Sequence, residues 1–311
     1  MRTIDAATVA SVLTPQRLVP LLEAMFRAGC TTPTRHHHTI PVPVGAPATL
    51  LLMPAWQAGA YIGTKLATVF PSNAALNLPA VSAAYLLMDG KTGSVLALID
   101  GGELTARRTA AASALAARFL AKPGAESLLI VGTGRIAREL ARFHVATLPG
   151  LRHVALWGRS PANAAAAARE LAAAGIAATM VTDLNPAVAA ADLVSVATLA
   201  RTPLILGAHV RPGTHVDLVG GFTPEMREAD DDLIGEARVF VDTQAALAEA
   251  GDLLVPLNRG LLDAAAVVDL AALCRDTHAG RQSDAEITVF KSVGTALEDL
   301  AAAIAVYEST N

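Results

Sequence analysis

The feature that most narrows the fold is an apolar run, Leu128-Leu129-Ile130-Val131, closed at once by Gly132-Thr133-Gly134-Arg135-Ile136-Ala137. A short run of this kind reads as a buried strand, and a G-x-G-x-x-A turn leading from it into a helix is a variant of the dinucleotide-binding fingerprint. The first glycine allows the tight turn and the second lets backbone N–H groups approach a pyrophosphate, while a small third residue lets helix pack closely on strand. The surroundings agree with this reading. Apolar runs at 127–131, 153–157, 178–181, 193–197, 215–219 and 239–242 alternate with alanine-rich helical stretches, the pattern of βαβ units and a mainly parallel sheet. Ser160-Pro161 and Asn185-Pro186 mark helix starts between them. The expected fold class is α/β, with a Rossmann domain over residues 122–291.

The end of the second strand bears on the choice of cofactor. NAD-binding versions place an acid there to accept from the ribose hydroxyls, whereas this chain reads Trp157-Gly158-Arg159-Ser160. Arg159 suits a 2′-phosphate through a charge-assisted pair, and Ser160 adds a hydroxyl. NADPH is therefore favoured, with NADH as the alternative. A plain surface arginine is the competing reading, although a cation at a helix start opposes the dipole and needs another reason.

The chain before the fingerprint has a different texture. Runs at 41–44, 49–53, 61–69 and 81–88 read as antiparallel strands, with Asp89-Gly90-Lys91-Thr92-Gly93 as a turn. A helix over 104–121 stops at Lys122-Pro123-Gly124, which sets the expected domain boundary. The stretch 294–307 is apolar at helical spacing and must dock somewhere. A length of 311 residues suits two domains. The net charge of −4, spread without long like-charge runs, gives no footprint for nucleic acid or a membrane surface. Cys30 and Cys274 lie far apart without a CxxC partner, and the N-terminus carries no leader pattern, so a cytoplasmic protein is expected. His36-His37-His38 alternate sides on an extended chain and lack a carboxylate companion, so no metal is expected.

Three cations stand in apolar surroundings: Arg35, Lys65 on an alternating strand, and Arg108 in an alanine-rich helix. Burying them without an anion is unfavourable, and together they would suit an α-carboxylate. Each taken alone also reads as a snorkelling surface cation. Arg107 lies about 100° round the helix from Arg108, so only one of the two can face a pocket squarely.

These segments resemble the ornithine cyclodeaminase/mu-crystallin family nearly end to end. The resemblance is carried by Lys65 with Phe70-Pro71-Ser72-Asn73, Asp89 to Gly93, Leu104-Thr105-Ala106, Arg108-Thr109-Ala110-Ala111-Ala112-Ser113, the Gly132 loop, and Asp192 with Ala197-Thr198. It continues through Ile287-Thr288-Val289-Phe290-Lys291-Ser292-Val293-Gly294 and Glu298-Asp299. It implies a Rossmann domain inserted into an α+β substrate-binding and dimerisation domain, formed by 1–121 plus 292–311, and a homodimer. By the same resemblance Arg35, Lys65 and Arg108 bind the substrate carboxylate, while Gly132, Gly134, Arg135, Ile136, Ala137, Arg159 and Ser160 hold the cofactor. Ser82, Arg108, Thr198 and Val219 are further cofactor contacts, with an ordinary strand serine the equal reading for Ser82.

One departure is informative. Ornithine cyclodeaminases carry aspartate in a Gly-Gly-Asp segment, where this chain has Gly220-Gly221-Phe222. Phe222 cannot pair with an ammonium, and the segment looks like that of the family's cyclic imino acid reductases, acting on Δ1-pyrroline-2-carboxylate or Δ1-piperideine-2-carboxylate. Phe222 is thus expected beside the substrate, and Lys65 to relay a proton. Asp217 and Glu228 read as second-layer acids or, more commonly, solvated loop residues. The alternatives are a cyclodeaminase, an amino-acid dehydrogenase, and a non-catalytic NADPH- and ligand-binding protein.

Overall fold

The computed structural model describes residues 1–43, 45–76 and 78–310; Val44, the end of the run read at 41–44, lies outside them. The chain forms two compact units, Met1–Arg108 with Thr295–Asn311, and Thr109–Gly294.

The first unit contains β1 (Arg2–Ile4), α1 (Ala6–Val12), α2 (Pro15–Ala28), β2 (His36–Ile40), β3 (Ala48–Gln57), β4 (Tyr61–Val69), β5 (Val81–Asp89), β6 (Val95–Asp100) and the start of α3 (Gly101–Leu120). Its sheet has six strands in the order β1-β6-β5-β4-β3-β2, antiparallel except for the β1–β6 pair. The histidine run, rather than 41–43, supplies the edge strand. Pro41 and Pro43 lack the N–H that a ladder needs, so pairing stops at Ile40. The helix α3 starts earlier than its alanine-rich part suggests, because Asp100 caps it by accepting from Glu103 N at 2.7 Å. Alternation gives the sheet two unlike faces. Met53, Lys65 and Tyr85 are register partners on the buried face, whereas Leu50, Leu52, Ile62, Leu86 and Leu98 are half-exposed on the other, where Leu66 is 41% exposed. The last helix, α11 (Ala296–Ser309), packs on α2, β3 and β4.

The second unit holds β7 (Ser127–Val131), α4 (Arg135–Thr147), β8 (His153–Trp157), α5 (Pro161–Ala173), β9 (Ala178–Met180), α6 (Leu184–Ala190), β10 (Leu193–Val196) and β11 (His215–Leu218). It continues with α7 (Asp231–Glu236), β12 (Arg238–Val241), α8 (Ala246–Glu249), α9 (Gly251–Asn258), β13 (Val268–Asp269), α10 (Leu270–Cys274) and β14 (Thr288–Lys291). All eight strands are parallel, in the order β13-β12-β14-β11-β10-β7-β8-β9. The direction of winding reverses between β7 and β10, and ligands of open α/β sheets bind at such a switch point, beyond the strands' carboxyl ends.

The units divide inside α3, at Arg108/Thr109, rather than at Lys122. The rest of that helix is largely buried alanine, and Ser113 Oγ donates to Asp217 Oδ1 on β11 at 3.0 Å. The other division falls at Gly294/Thr295 rather than before Ser292. Ser292 Oγ, Val293 N and Gly294 N all donate to Asp242 at the end of β12, at 2.9, 2.9 and 2.6 Å.

Candidate active site

In the first unit, strand alternation turns Lys65 inward and the turn of α3 presents Arg108; they are 3% and 4% exposed. The first turn of α11 brings two acids to them. Lys65 Nζ lies 3.0 and 2.9 Å from the two oxygens of Asp299, Arg108 Nε donates to Asp299 Oδ1 at 2.8 Å, and its Nη1 donates to Glu298 Oε2 at 2.6 Å. Within this quartet the formal charges offset, which is what lets four ionised groups stay in a dry place. Burial, reinforced by Arg108, pushes Lys65 down to about 8 against the pull of Asp299. Although burial pushes Asp299 up, Arg108 and Lys65 hold it below the ordinary carboxylate range. Tyr85, opposite Lys65 on β5, is fully buried, and its hydroxyl has no hydrogen-bond partner among the described residues. Arg107 turns away, as helix geometry requires, to Glu103 and the Leu13 carbonyl.

The structure thus joins Lys65 with Arg108. Arg35 stands half-buried in the segment entering β2, where burial and its charge together lower His37. Ser82 is exposed on β5. His36 and His38 point to one side of the edge strand with ring centroids 6.1 Å apart. Among the described residues no group of His, Cys, Asp or Glu side chains is arranged to hold a metal ion.

In the second unit the glycine turn has the geometry that a dinucleotide needs. Gly132 has φ +131°, and a Cβ there would stand 2.4 Å from the Ala197 carbonyl oxygen and 3.5 Å from Ala137 Cβ. Gly134 is the N-cap of α4 without a side-chain cap, with Arg135 exposed and Ile136 half-buried behind it, and a helix start of this kind suits an anion. Arg159 is exposed at the end of β8, and Ser160 caps α5 by accepting from Asn163 N at 3.3 Å. These residues fit a dinucleotide. The hydroxyl of Thr198 is spent within the protein, donating to Glu228 at 2.8 Å, and Val219 is buried. Phe222 is half-buried just past Gly220-Gly221.

Of the two readings open for Asp217 and Glu228, the commoner one fails, since neither is a solvated loop residue. Asp217 is buried on β11, accepting from Ser113 at 3.0 Å and Ser195 at 2.6 Å, with His144 Nε2 3.3 Å away. Glu228 is fully buried as well, and burial pushes it up to about 7 while Lys291 and the Thr198 donors oppose that rise. The irregular segment around Glu228 suggested solvent, but turning chain packed under strand ends is not exposed; Asp217 lies within β11 itself, all of whose residues are buried.

The ornithine cyclodeaminase/mu-crystallin family model matches residues 6–311. The chain belongs to this family. Within it, Delta(1)-pyrroline-2-carboxylate reductase of Paracoccus denitrificans is 44% identical over 86% of this chain and 87% of its own length. The Thermococcus litoralis Delta(1)-pyrroline-2-carboxylate reductase, solved with NADH and L-proline, superposes with a TM-score of 0.92 at 30% identity, covering 100% of this chain and 97% of its own. An archaeal alanine dehydrogenase dimer with bound NAD does so with a TM-score of 0.91 at 25% identity, covering 100% and 96%. Family membership draws attention to Glu298 and Asp299, whose place in the motif series was visible but whose partners were not. A carboxylate pair opening a helix looks like an ordinary favourable dipole arrangement.

Proposed function

We propose that this protein reduces a cyclic imino acid, Δ1-pyrroline-2-carboxylate to L-proline with Δ1-piperideine-2-carboxylate as a second substrate, using NADPH. The observation that carries the substrate class is Phe222, an uncharged side chain after the glycine pair at the end of β11. A ring imine carries no side-chain ammonium and needs no acid there, whereas ornithine does. The relatives' named reaction and the NADH and L-proline of the Thermococcus complex support the same class.

Lys65 and Arg108 anchor the substrate carboxylate in this reading. Their charge is already balanced by Glu298 and Asp299, so the added anion calls for a further cation, and Arg35 is the candidate. Lys65, lowered to about 8, holds a proton that it can give up near neutral pH, and it supplies that proton to the ring nitrogen. The Tyr85 hydroxyl is an unspent donor beside it. The cofactor, when bound, supplies the hydride that C2 accepts, and the protonated nitrogen takes up the electron pair of the C=N bond. The Gly132 turn and the start of α4 hold the pyrophosphate, and Arg159 with Ser160 holds the 2′-phosphate.

The open sheet face of the first unit, with Leu50, Leu52, Ile62, Leu66, Leu86 and Leu98, is the surface for a second copy, in keeping with the dimeric archaeal relative. Among the described residues no helix is long and apolar enough to cross a membrane. We place the protein in the cytoplasm, acting on a small molecule and not on nucleic acid or membrane.

The test follows NADPH absorbance on adding Δ1-pyrroline-2-carboxylate, with ornithine plus NAD as the parallel reaction. Oxidation with the imine and none with ornithine is expected; the reverse result overturns the reading. Arg159→Ala should raise KM for NADPH about tenfold, roughly one charge-assisted contact, and leave that for NADH unchanged.

A further inference from the structure

We infer that Glu228 is a positioning residue for the nicotinamide end of the cofactor, acting through the chain segments that leave β10 and β11. The inference rests on the dinucleotide reading above and adds a residue that the fingerprint does not contain.

Both carboxylate oxygens of Glu228 are used, each by two donors. Oε1 accepts from Thr198 N at 2.7 Å and Thr198 Oγ1 at 2.8 Å; Oε2 accepts from Gly220 N at 2.8 Å and Gly221 N at 3.2 Å. One side chain therefore ties together the segments that follow two neighbouring strands. The approach is so close that a Cβ on Gly220 would lie 1.9 Å from the Thr198 carbonyl oxygen, which explains the first glycine of the pair without any appeal to its backbone angles. Glu228 is itself fixed from behind. Asp252 Oδ1 accepts from Glu228 N at 2.7 Å and Ala229 N at 3.0 Å, and Lys291, at the end of β14, lies 2.9 Å from Asp252 and 3.8 Å from Glu228.

Three buried ionisable side chains are a poor device for stability alone, since well-packed apolar residues of similar volume often do as well or better. Their place in the sheet supplies another reason. The ends of β10, β11 and β14 lie on the carboxyl edge beside the switch point, and Ala197, next to Thr198, is the residue against which Gly132 closes. The pyrophosphate turn and the Glu228 tie thus share one short piece of chain. Segments held in place before the ligand arrives lose no freedom when it binds, so the tie preserves affinity and orientation at the end of the dinucleotide where hydride leaves. A glutamine could not substitute. Donors approach both oxygens, and an amide would set its own NH2 against one pair of N–H groups.

The experiment compares the full-length parent with Glu228→Gln by amide hydrogen exchange without ligand. In parallel, binding of NADPH and of 2′-phospho-ADP-ribose, which lacks nicotinamide, is measured by calorimetry. The expected result is at least about tenfold faster exchange at Thr198, Gly220 and Gly221, the scale of losing such bonds. Binding of 2′-phospho-ADP-ribose should stay within about twofold, while NADPH loses most of the affinity it gains from nicotinamide. Unchanged exchange, or equal weakening of both ligands, would overturn the inference. Should the variant not fold, the parent alone decides: these amides must be protected before NADPH is added, and free exchange until it is added refutes the tie. Binding of neither ligand by the parent would overturn the dinucleotide reading and the nicotinamide role with it, while exchange would still report whether Glu228 holds the two segments.

Discussion

Asp299 meets Lys65 and Arg108 at once, so removing its charge leaves two buried cations facing a single acid, Glu298. Asp299→Asn is expected to lower stability by about 3–5 kcal/mol in urea unfolding, the scale for breaking a buried pair. It should also take the Lys65 pKa below about 8, moving the basic limb of the activity profile to lower pH. His215 gives a second prediction. Burial, with the charges of His144 and Arg281, lowers it to about 3 against the pull of Asp217, whereas unfolded chain returns it to 6.5. The stability it contributes is fully present above 6.5 and is lost as pH falls towards about 3, because the unfolded state binds the proton first. Unfolding free energy measured across that window should fall by up to about 1.4 kcal/mol per pH unit from this group, and His215→Gln should remove that part of the slope. Lys65 and Arg108 were readable as candidates because charge in an apolar pattern is conspicuous. Glu228 was readable only with two meanings left open, because a carboxylate in an irregular stretch looks the same whether it meets water or four N–H and O–H donors.

At the scale of elements, the strand-to-helix turn after β7 is where pattern and structure agree most closely. Gly132→Ala must place a methyl 2.4 Å from the Ala197 oxygen on a backbone with φ +131°, so dinucleotide binding should be lost in a fluorescence titration while circular dichroism stays native. Strands with clean alternation were readable, β4 to the residue. The run at 41–43 misled because its apolar content outweighed Pro41 and Pro43, whose missing N–H groups end the ladder. β6 and β14 were not separated as strands: the first runs straight into α3, and the second was visible only as part of a family motif.

For the whole molecule, the half-exposed apolar face of the antiparallel sheet, with Leu66 41% exposed, is the surface on which the proposed pairing of two copies rests. Light scattering should give twice the mass of the chain. Leu66→Asp, placed on that face where the side chain is 41% exposed, should shift the equilibrium towards single chains with little effect on the far-UV spectrum. Retention of the parent mass by this variant would put the interface elsewhere.

What the sequence determined by itself was whatever is written in local order: the strand-glycine-helix fingerprint, the βαβ alternation, the absence of an acid after the second strand, and phenylalanine after the glycine pair. Each is a matter of spacing along the chain, set by side-chain periodicity and turn sterics. Only the tertiary structure decided that β14 lies between β11 and β12, that Glu298 and Asp299 neutralise Lys65 and Arg108, and that Glu228 bridges two strand ends. Most of those contacts join residues tens to hundreds of positions apart, as Glu298 with Arg108 and Glu228 with Thr198, and their strength comes from burial that no single segment contains.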